Sequence, residues 1–189
     1  MKAIIMAAGI GKRLHALNIN KPKCLIAAGS TTLIRRSVNL LLSKGISDIT
    51  VIVGFKGHLV RNELNNDVAY FENPDFISTN SIKSLWYAKN LLEDDVLLLN
   101  GDLYYEHDIL DYAINQTNPV VMLADSTRID NADYRFSFSG DQINQFGKHL
   151  TNHETDGEYV GIVRIDQRFI KTFKQALEEM IISGKSNVW

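Results

Sequence analysis

The sequence predicts a single α/β domain, a mostly parallel sheet with helices on both faces, and three observations carry that expectation. Short apolar runs with little polar alternation recur at Lys2 to Ala8, Asp48 to Val53 and Asp95 to Asn100, the pattern of strands buried on both faces. Segments with apolar residues at helical spacing separate them. The composition agrees, because 189 residues with 45% hydrophobic and 22% charged side chains and only three prolines exclude a disordered, collagenous or repeat chain. A chain of this size hides roughly 70% of its unfolded surface, enough for a core without staples.

Taken in order, Lys2 to Ala8 is a strand ending at Gly9, and Gly9 to Pro22 is polar, basic and without apolar period, hence a long loop. Leu33, Ile34, Val38, Leu41 and Leu42 mark a helix that stops at Lys44-Gly45, a basic last turn followed by a glycine. Asp48 to Val53 is a second strand ending at Gly54. A short helix follows around His58 to Asn65, then a strand near Val68 to Phe71 and a turn at Asn73-Pro74. Ile82, Leu85, Trp86, Leu91 and Leu92 mark a helix capped by Asn80 or Ser81. Asp95 to Asn100 is a buried strand closing on Gly101-Asp102, Asp108 to Asn115 a helix, and Val120 to Ala124 another buried strand. Tyr134 to Phe138 alternates, residues 139 to 157 read as loops and turns, and Tyr159 to Ile165 is the last strand. Phe169, Ile170, Phe173, Ala176, Leu177, Met180 and Ile181 form a helical stripe. No linker or repeat divides residues 1–189, so one domain is expected.

Charge is unevenly spread along the chain. Residues 1–61 hold ten Lys or Arg against the single acid Asp48, for +9, and the rest carries −11. Such a split fits either two solvated faces or an anionic ligand at the N-terminal end. Nucleic acid is not expected as a partner, since the isoelectric point is about 6.2 and no basic run is interleaved with aromatics. The lone Cys24 forms no internal disulfide, and the N-terminus lacks the regions of a secretory signal. No apolar run approaches the ~18 residues of a membrane span, so a cytoplasmic location without membrane contact is expected.

Ligands of open sheets sit beyond the carboxyl ends of the strands, which places the first loop and Asp102 in one crevice. That loop reads Ala7-Ala8-Gly9-Ile10-Gly11-Lys12-Arg13-Leu14. Its glycines let backbone N–H groups approach closely while Lys12 and Arg13 bring charge, a combination suited to phosphate oxygens. It is not a Walker loop, because Gly11-Lys12 is followed by arginine and no glycine stands five places before Gly11. Nor is it a dinucleotide fingerprint, which needs glycine where Leu14 stands and an acid where Arg35 and Arg36 stand. Pro22-Lys23-Cys24-Leu25 adds a second positive point. Cys24 reads as a packed residue rather than a nucleophile. Asp102, at the end of a buried strand, is the best-placed carboxylate for a magnesium ion bridging to phosphate. His149 and His153 have i, i+4 spacing but fall in a polar stretch, which argues against a zinc pair.

These three motifs together, Ala-Ala-Gly-x-Gly-Lys-Arg, Pro-Lys-x-Leu and a strand ending in Gly-Asp, resemble the sugar nucleotidyltransferase family over residues 2 to about 165. Asn80-Ser81-Ile82-x-Ser84-Leu85-Trp86-Tyr87-Ala88 is similar to its phosphocholine cytidylyltransferase-like branch. The resemblance implies a Rossmann-like sheet of the nucleotide-diphospho-sugar transferase type. It implies an enzyme that joins a nucleoside triphosphate, here CTP, to a small phosphorylated alcohol or phosphonate, with Mg2+ as cofactor and pyrophosphate as product. A sugar-1-phosphate enzyme and a non-catalytic nucleotide-binding module are the alternatives. Carried over by position, Arg13 and Lys23 would be catalytic. Ala8, Gly9, Gly11, Lys12, Gly54, Asn80, Ser81 and Ser84 would bind nucleotide, Lys148, Glu158 and Gly161 the acceptor, and Asp102 the metal. Trp86, Tyr104, Tyr105, Tyr134 and Trp189 could include a cage for a quaternary ammonium, although Trp86 on its apolar stripe reads as core. The family brings a second acidic ligand from a segment after the last helix. This chain stops at Asn187-Val188-Trp189, so either a C-terminal segment is lacking, another acid such as Asp156 or Glu158 serves, or catalysis is impaired. A homo-oligomer is left open.

Overall fold

Lys2–Ala7 forms β1, the strand around which the sheet is built. The computed structural model describes residues 1–11 and 20–184. A 3-10 turn at Lys23–Leu25 leads into a small hairpin, β2 (Ala27–Ala28) and β3 (Thr31–Thr32), and then helix α1 (Leu33–Ser43), whose first turn is held by Thr32 Oγ1 accepting from Arg35 N. The order continues β4 (Ile49–Val53), α2 (Gly57–Leu64), β5 (Ala69–Glu72), α3 (Ser81–Tyr87) and β6 (Val96–Asn100). It closes with α4 (His107–Asn115), β7 (Val120–Asp125), β8 (Arg135–Ser139), β9 (Gln142–Phe146), β10 (Gly157–Ile165) and α5 (Gln167–Ile182).

Eight strands form the main sheet in the order β5-β4-β1-β6-β10-β8-β9, with β7 on β10. Neighbours from β5 to β6 are all parallel, as the alternation of strands and helices predicts. Antiparallel pairing begins at β10, which runs against β6, β7 and β8. The two faces of β1 divide the core. Ala3, Ile5 and Ala7 pack with Ile34, Val38 and Leu41 of α1, Val60 and Leu64 of α2, and Leu110 and Ala113 of α4. Ile4 and Ala8 face the other way, onto Leu85 of α3 and Ile170 and Leu177 of α5. Helices thus cover both faces, which is why the inner strands carry no polar alternation. No described helix is long and apolar enough to cross a membrane.

The structure departs from expectation in four places. Gln142–Phe146, read as loop, is a strand paired with β8; all five of its residues are exposed, so no buried face marks it in the sequence. The helix expected to reach Leu92 ends at Tyr87, and a separate 3-10 turn covers Lys89–Leu91. Pro22 to Leu25, read as part of a long loop, includes a 3-10 turn, because Leu25 N and Ile26 N reach back to Pro22 O and Lys23 O. The β2–β3 hairpin is too short to leave a periodic signal.

Candidate active site

The carboxyl ends of the parallel strands β1, β4, β5 and β6 lie side by side, and close backbone approach there explains two glycines. A Cβ on Gly54 would stand 2.6 Å from Phe76 Cβ and 2.8 Å from Ala8 O. Ala8 O also accepts from Phe55 N at 3.1 Å, so the chain after β4 is tied directly to the chain after β1. Gly101 N donates to Met6 O at 2.9 Å, and a Cβ on Gly101 would meet Ala7 Cβ at 3.0 Å. Asp102 is thereby delivered beside the end of β1.

On the β5 side these strand ends frame a cavity of about 600 Å³, lined by Ala8, Gly9, Ile10 and Gly11 and by the chain from Phe76 through Ser81, with Asn73 and Ser84 behind. Among the described residues, no charged side chain lines this cavity. The N-terminus of α3 is capped by Asn80, whose Oδ1 accepts from Ile82 N at 3.1 Å and Lys83 N at 3.4 Å. Asn73, the residue after β5, is 1% exposed. Its Oδ1 accepts from Asp75 N at 2.9 Å, and its Nδ2 donates to Thr79 Oγ1 at 3.0 Å and Ser84 Oγ at 2.8 Å.

On the other side of β1, Lys23 Nζ stands 2.5 Å from Asp102 Oδ2, both groups partly open to solvent. Cys24 is buried beneath this pair, and burial, reinforced by the negative charge of Asp102, pushes its thiol up to about 12. It is therefore a neutral packed group and no nucleophile.

Of the residues singled out in the sequence, Ala8, Gly9, Gly11, Asn80, Ser81 and Ser84 line one cavity, and Gly54 packs behind its wall. Lys23 and Asp102 are brought together by the ion pair. Lys12 and Arg13 lie outside the described residues, as does Trp189. Gly161 sits at φ +87° in the stretch of β10 where the pairing with β7 shifts register, and a Cβ there would meet Asn100 Nδ2 of β6 at 2.6 Å. Glu158, near the start of β10, accepts from Asp133 N at 2.7 Å, and Lys148 lies on the exposed turn after β9. Asp156 holds the β8–β9 hairpin by accepting from Phe138 N at 2.8 Å.

Three of the five aromatics, Trp86, Tyr104 and Tyr134, have partners of their own, and Tyr105 is buried. Lys83 Nζ lies 4.1 Å from the Trp86 ring centroid, Arg36 lies 4.5 Å from that of Tyr104, and Tyr134 packs edge-on against Phe136 and Tyr159. Among the described residues the one gathering of three metal-ligand side chains is His107, Asp108 and Asp111 on α4, and Lys44 pairs with Asp111 at 2.6 Å. Sequence reading missed Asn73, Phe76, Ile77, Ser78 and Thr79 as cavity residues. The available signal was the Asn73-Pro74 turn itself, since a turn directly after a parallel strand lies at the ligand end of the sheet.

Residues 2–134 match the nucleotidyl transferase family model, and the chain belongs to that family. Across 99% of its length it is 25% identical to the CTP:phosphoglutamine cytidylyltransferase of Campylobacter jejuni, covering 83% of that protein. A 93-residue stretch, 48% of this chain and 38% of the relative, is 36% identical to the 2-aminoethylphosphonate cytidylyltransferase of Lancefieldella rimae. The fold matches that of the CTP:phosphocholine cytidylyltransferase from Streptococcus pneumoniae with a TM-score of 0.72 at 23% identity, covering 97% of this chain and 78% of that one.

Proposed function

We propose that this chain transfers a cytidylyl group from CTP to a phosphate or phosphonate oxygen of a small acceptor, releasing pyrophosphate. The observation that carries the reading is the pairing of a cavity at the end of β1, lined among the described residues by uncharged side chains, with the Lys23–Asp102 pair at the end of β6. A nucleotide has the same polarity, an uncharged base and ribose joined to a polyanion. Relatives whose names specify phosphoglutamine and 2-aminoethylphosphonate as acceptors support the acceptor class.

In this reading an acceptor oxygen, already deprotonated near neutral pH, attacks the α-phosphorus. The new P–O bond forms as the bond to the bridging oxygen breaks, and pyrophosphate leaves with that electron pair. No general base is needed, so catalysis is positioning and charge stabilisation. The base and ribose occupy the cavity between Ala8, Gly9 and the wall from Asn80 to Ser84, with Gly54 keeping that wall close to β1. Backbone N–H groups at Gly9 and Gly11 face the phosphates, helped by Lys12 and by Arg13 on the departing pyrophosphate. Lys23 stands at the reacting phosphate. Lys148, Glu158 and Gly161 belong to the acceptor side, where β10 runs antiparallel to β6.

The donor set fits a hard divalent cation. Asp102 is a partly exposed carboxylate at a strand end, and magnesium is usually held through one or two carboxylates plus substrate and water. Magnesium on Asp102 and the substrate phosphates would neutralise charge developing on the phosphoryl oxygens.

The test is pyrophosphate release with magnesium, each of four triphosphates, and phosphocholine, phosphoglutamine, an aminoalkyl phosphonate and glucose 1-phosphate as acceptors. CTP with one of the first three is the expected pair; release only with glucose 1-phosphate would move the chain to sugar activation. Lys23→Ala and Asp102→Ala are each expected to lower turnover by about 10²-fold or more with the fold intact, by analogy with loss of a preorganised charge-stabilising group. Full activity in both variants would overturn the assignment.

A further inference from the structure

We infer that Arg36 is a positioning residue for Asp102, gripping the loop that carries this carboxylate and so setting its distance from Lys23. The inference rests on the proposed nucleotidyl transfer and adds to it the part of the fold that holds the two charged groups in register.

Asp102 needs such a hold because of where it lies. Gly101 N is tied to Met6 O at 2.9 Å, but the chain beyond it crosses from β6 to α4 outside either element. Neither a strand ladder nor helical hydrogen bonding fixes it there. Arg36, on α1, meets three successive residues of this crossing. Its guanidinium carbon lies 4.5 Å from the Tyr104 ring centroid, Nη1 donates to Tyr105 O, and Nη2 donates to Glu106 Oε2 at 3.0 Å. A planar guanidinium suits this task, since it stacks on a ring and bonds two acceptors at once, which the point charge of a lysine does not do.

The three contacts are unequal. The Arg36 side chain is 19% exposed and that of Glu106 68%, so water largely screens the ion pair. Tyr104 is likewise an exposed ring. The bond to Tyr105 O is made to backbone, and Tyr105 itself is buried in the core cluster that holds Cys24. That bond fixes the course of the main chain just beyond Asp102.

The same helix holds Lys23. Cys24 packs in one cluster with Ile34 and Val38 of α1, and Leu33 N donates to Ile26 O at 3.0 Å, joining the 3-10 turn that carries Lys23 to the start of the helix. Both partners of the 2.5 Å pair are thus referred to α1, Lys23 through the chain just before the helix and Asp102 through Arg36. The spacing matters because both groups act on the reacting phosphate in the proposed transfer, and misplacement by about 1 Å costs about 10²-fold in rate.

The experiment replaces Arg36 by Lys, which keeps the charge and loses the planar fork, and by Met, which loses both. Turnover is measured with CTP and the acceptor that the pyrophosphate assay selects. Both variants are expected to lower kcat about tenfold or more, with KM for CTP changed by less than about threefold. Glu106→Gln should stay within about twofold of the parent. In an Asp102→Ala background, Arg36→Met should lower the residual turnover no further, since a residue acting through Asp102 then has no carboxylate to place. A readout independent of activity is chymotrypsin cleavage of the native protein after Tyr104, located by mass spectrometry. It should quicken about tenfold in Arg36→Lys and Arg36→Met, while melting temperatures stay within a few degrees of the parent.

Full activity in Arg36→Lys would assign the effect to charge and overturn the inference. An equal further loss in the Asp102→Ala background, or an unchanged rate of cleavage, would also overturn it. If Arg36→Met fails to fold, Arg36→Lys decides. A parent chain that releases no pyrophosphate with any pair removes the proposed function, and the cleavage rates then decide alone whether Arg36 holds the Asp102 loop.

Discussion

At the scale of single residues, Cys24 shows how a neighbouring site sets the chemistry of a packed side chain. Its thiol is held protonated by burial and by Asp102, with a value of about 12 in the fold against 9.0 when unperturbed. A folded-state value raised above the unfolded one stabilises the fold fully below about pH 9, and that contribution is lost as pH rises from there toward 12. Denaturant melts at pH 8 and pH 10.5 should show the wild type losing more stability over that interval than Cys24→Ala. Iodoacetamide at pH 8 should leave the folded thiol unmodified and label it only after unfolding. The packed character of Cys24 was legible from its type and setting. So was Asp102, because an apolar run closing on Gly-Asp places a carboxylate at a strand end whatever the details. Asn73 was not legible as a cavity residue: its partners at positions 75, 79 and 84 come together only through the turn after β5 and the start of α3. An asparagine before proline reads simply as a turn.

Whole elements were legible in proportion to the core they bury. Helix α5 and the inner strands carry buried faces, and their patterns survive in the sequence. Strand β9 buries no face and was read as loop, while α3 stops short because Lys89–Leu91 tightens into a 3-10 turn behind it. The start of α3 depends on one cap. Asn80→Ala should cost about 1 kcal/mol of stability, measured by urea titration, the usual effect of losing a side-chain cap. Gly54 governs how closely the segment after β5 approaches β1. Gly54→Ala forces a methyl against Phe76 and Ala8 O, and the expected loss is about 1–3 kcal/mol, as for other overpacked sites. A melting curve with and without CTP checks both consequences, since displacing Phe76 should also reduce the stabilisation that nucleotide confers.

Across the whole molecule, the uneven charge of the sequence turns into cross-links between its halves. Among the described residues, five of the ten bases before position 62 pair with acids beyond it: Lys23 with Asp102, Arg35 with Asp67, Arg36 with Glu106, Lys44 with Asp111 and Arg61 with Glu72. Two solvated faces, one of the two readings of the charge split, is thus an incomplete description, and the anionic-ligand reading concerns fewer bases than the raw count suggested. Partly exposed pairs of this kind contribute about 0–1 kcal/mol each, so raising salt to 1 M should shift the melting temperature by only a few degrees. The first of these pairs has a further consequence. The ammonium of Lys23 and the carboxylate of Asp102 are each other's counter-ion, so the two groups together present little net charge to stray anions or cations. Removing only the carboxylate leaves Lys23 as a bare cation beside the reacting phosphate. Asp102→Ala should therefore hold inorganic pyrophosphate more tightly than the parent chain does, even as its turnover falls.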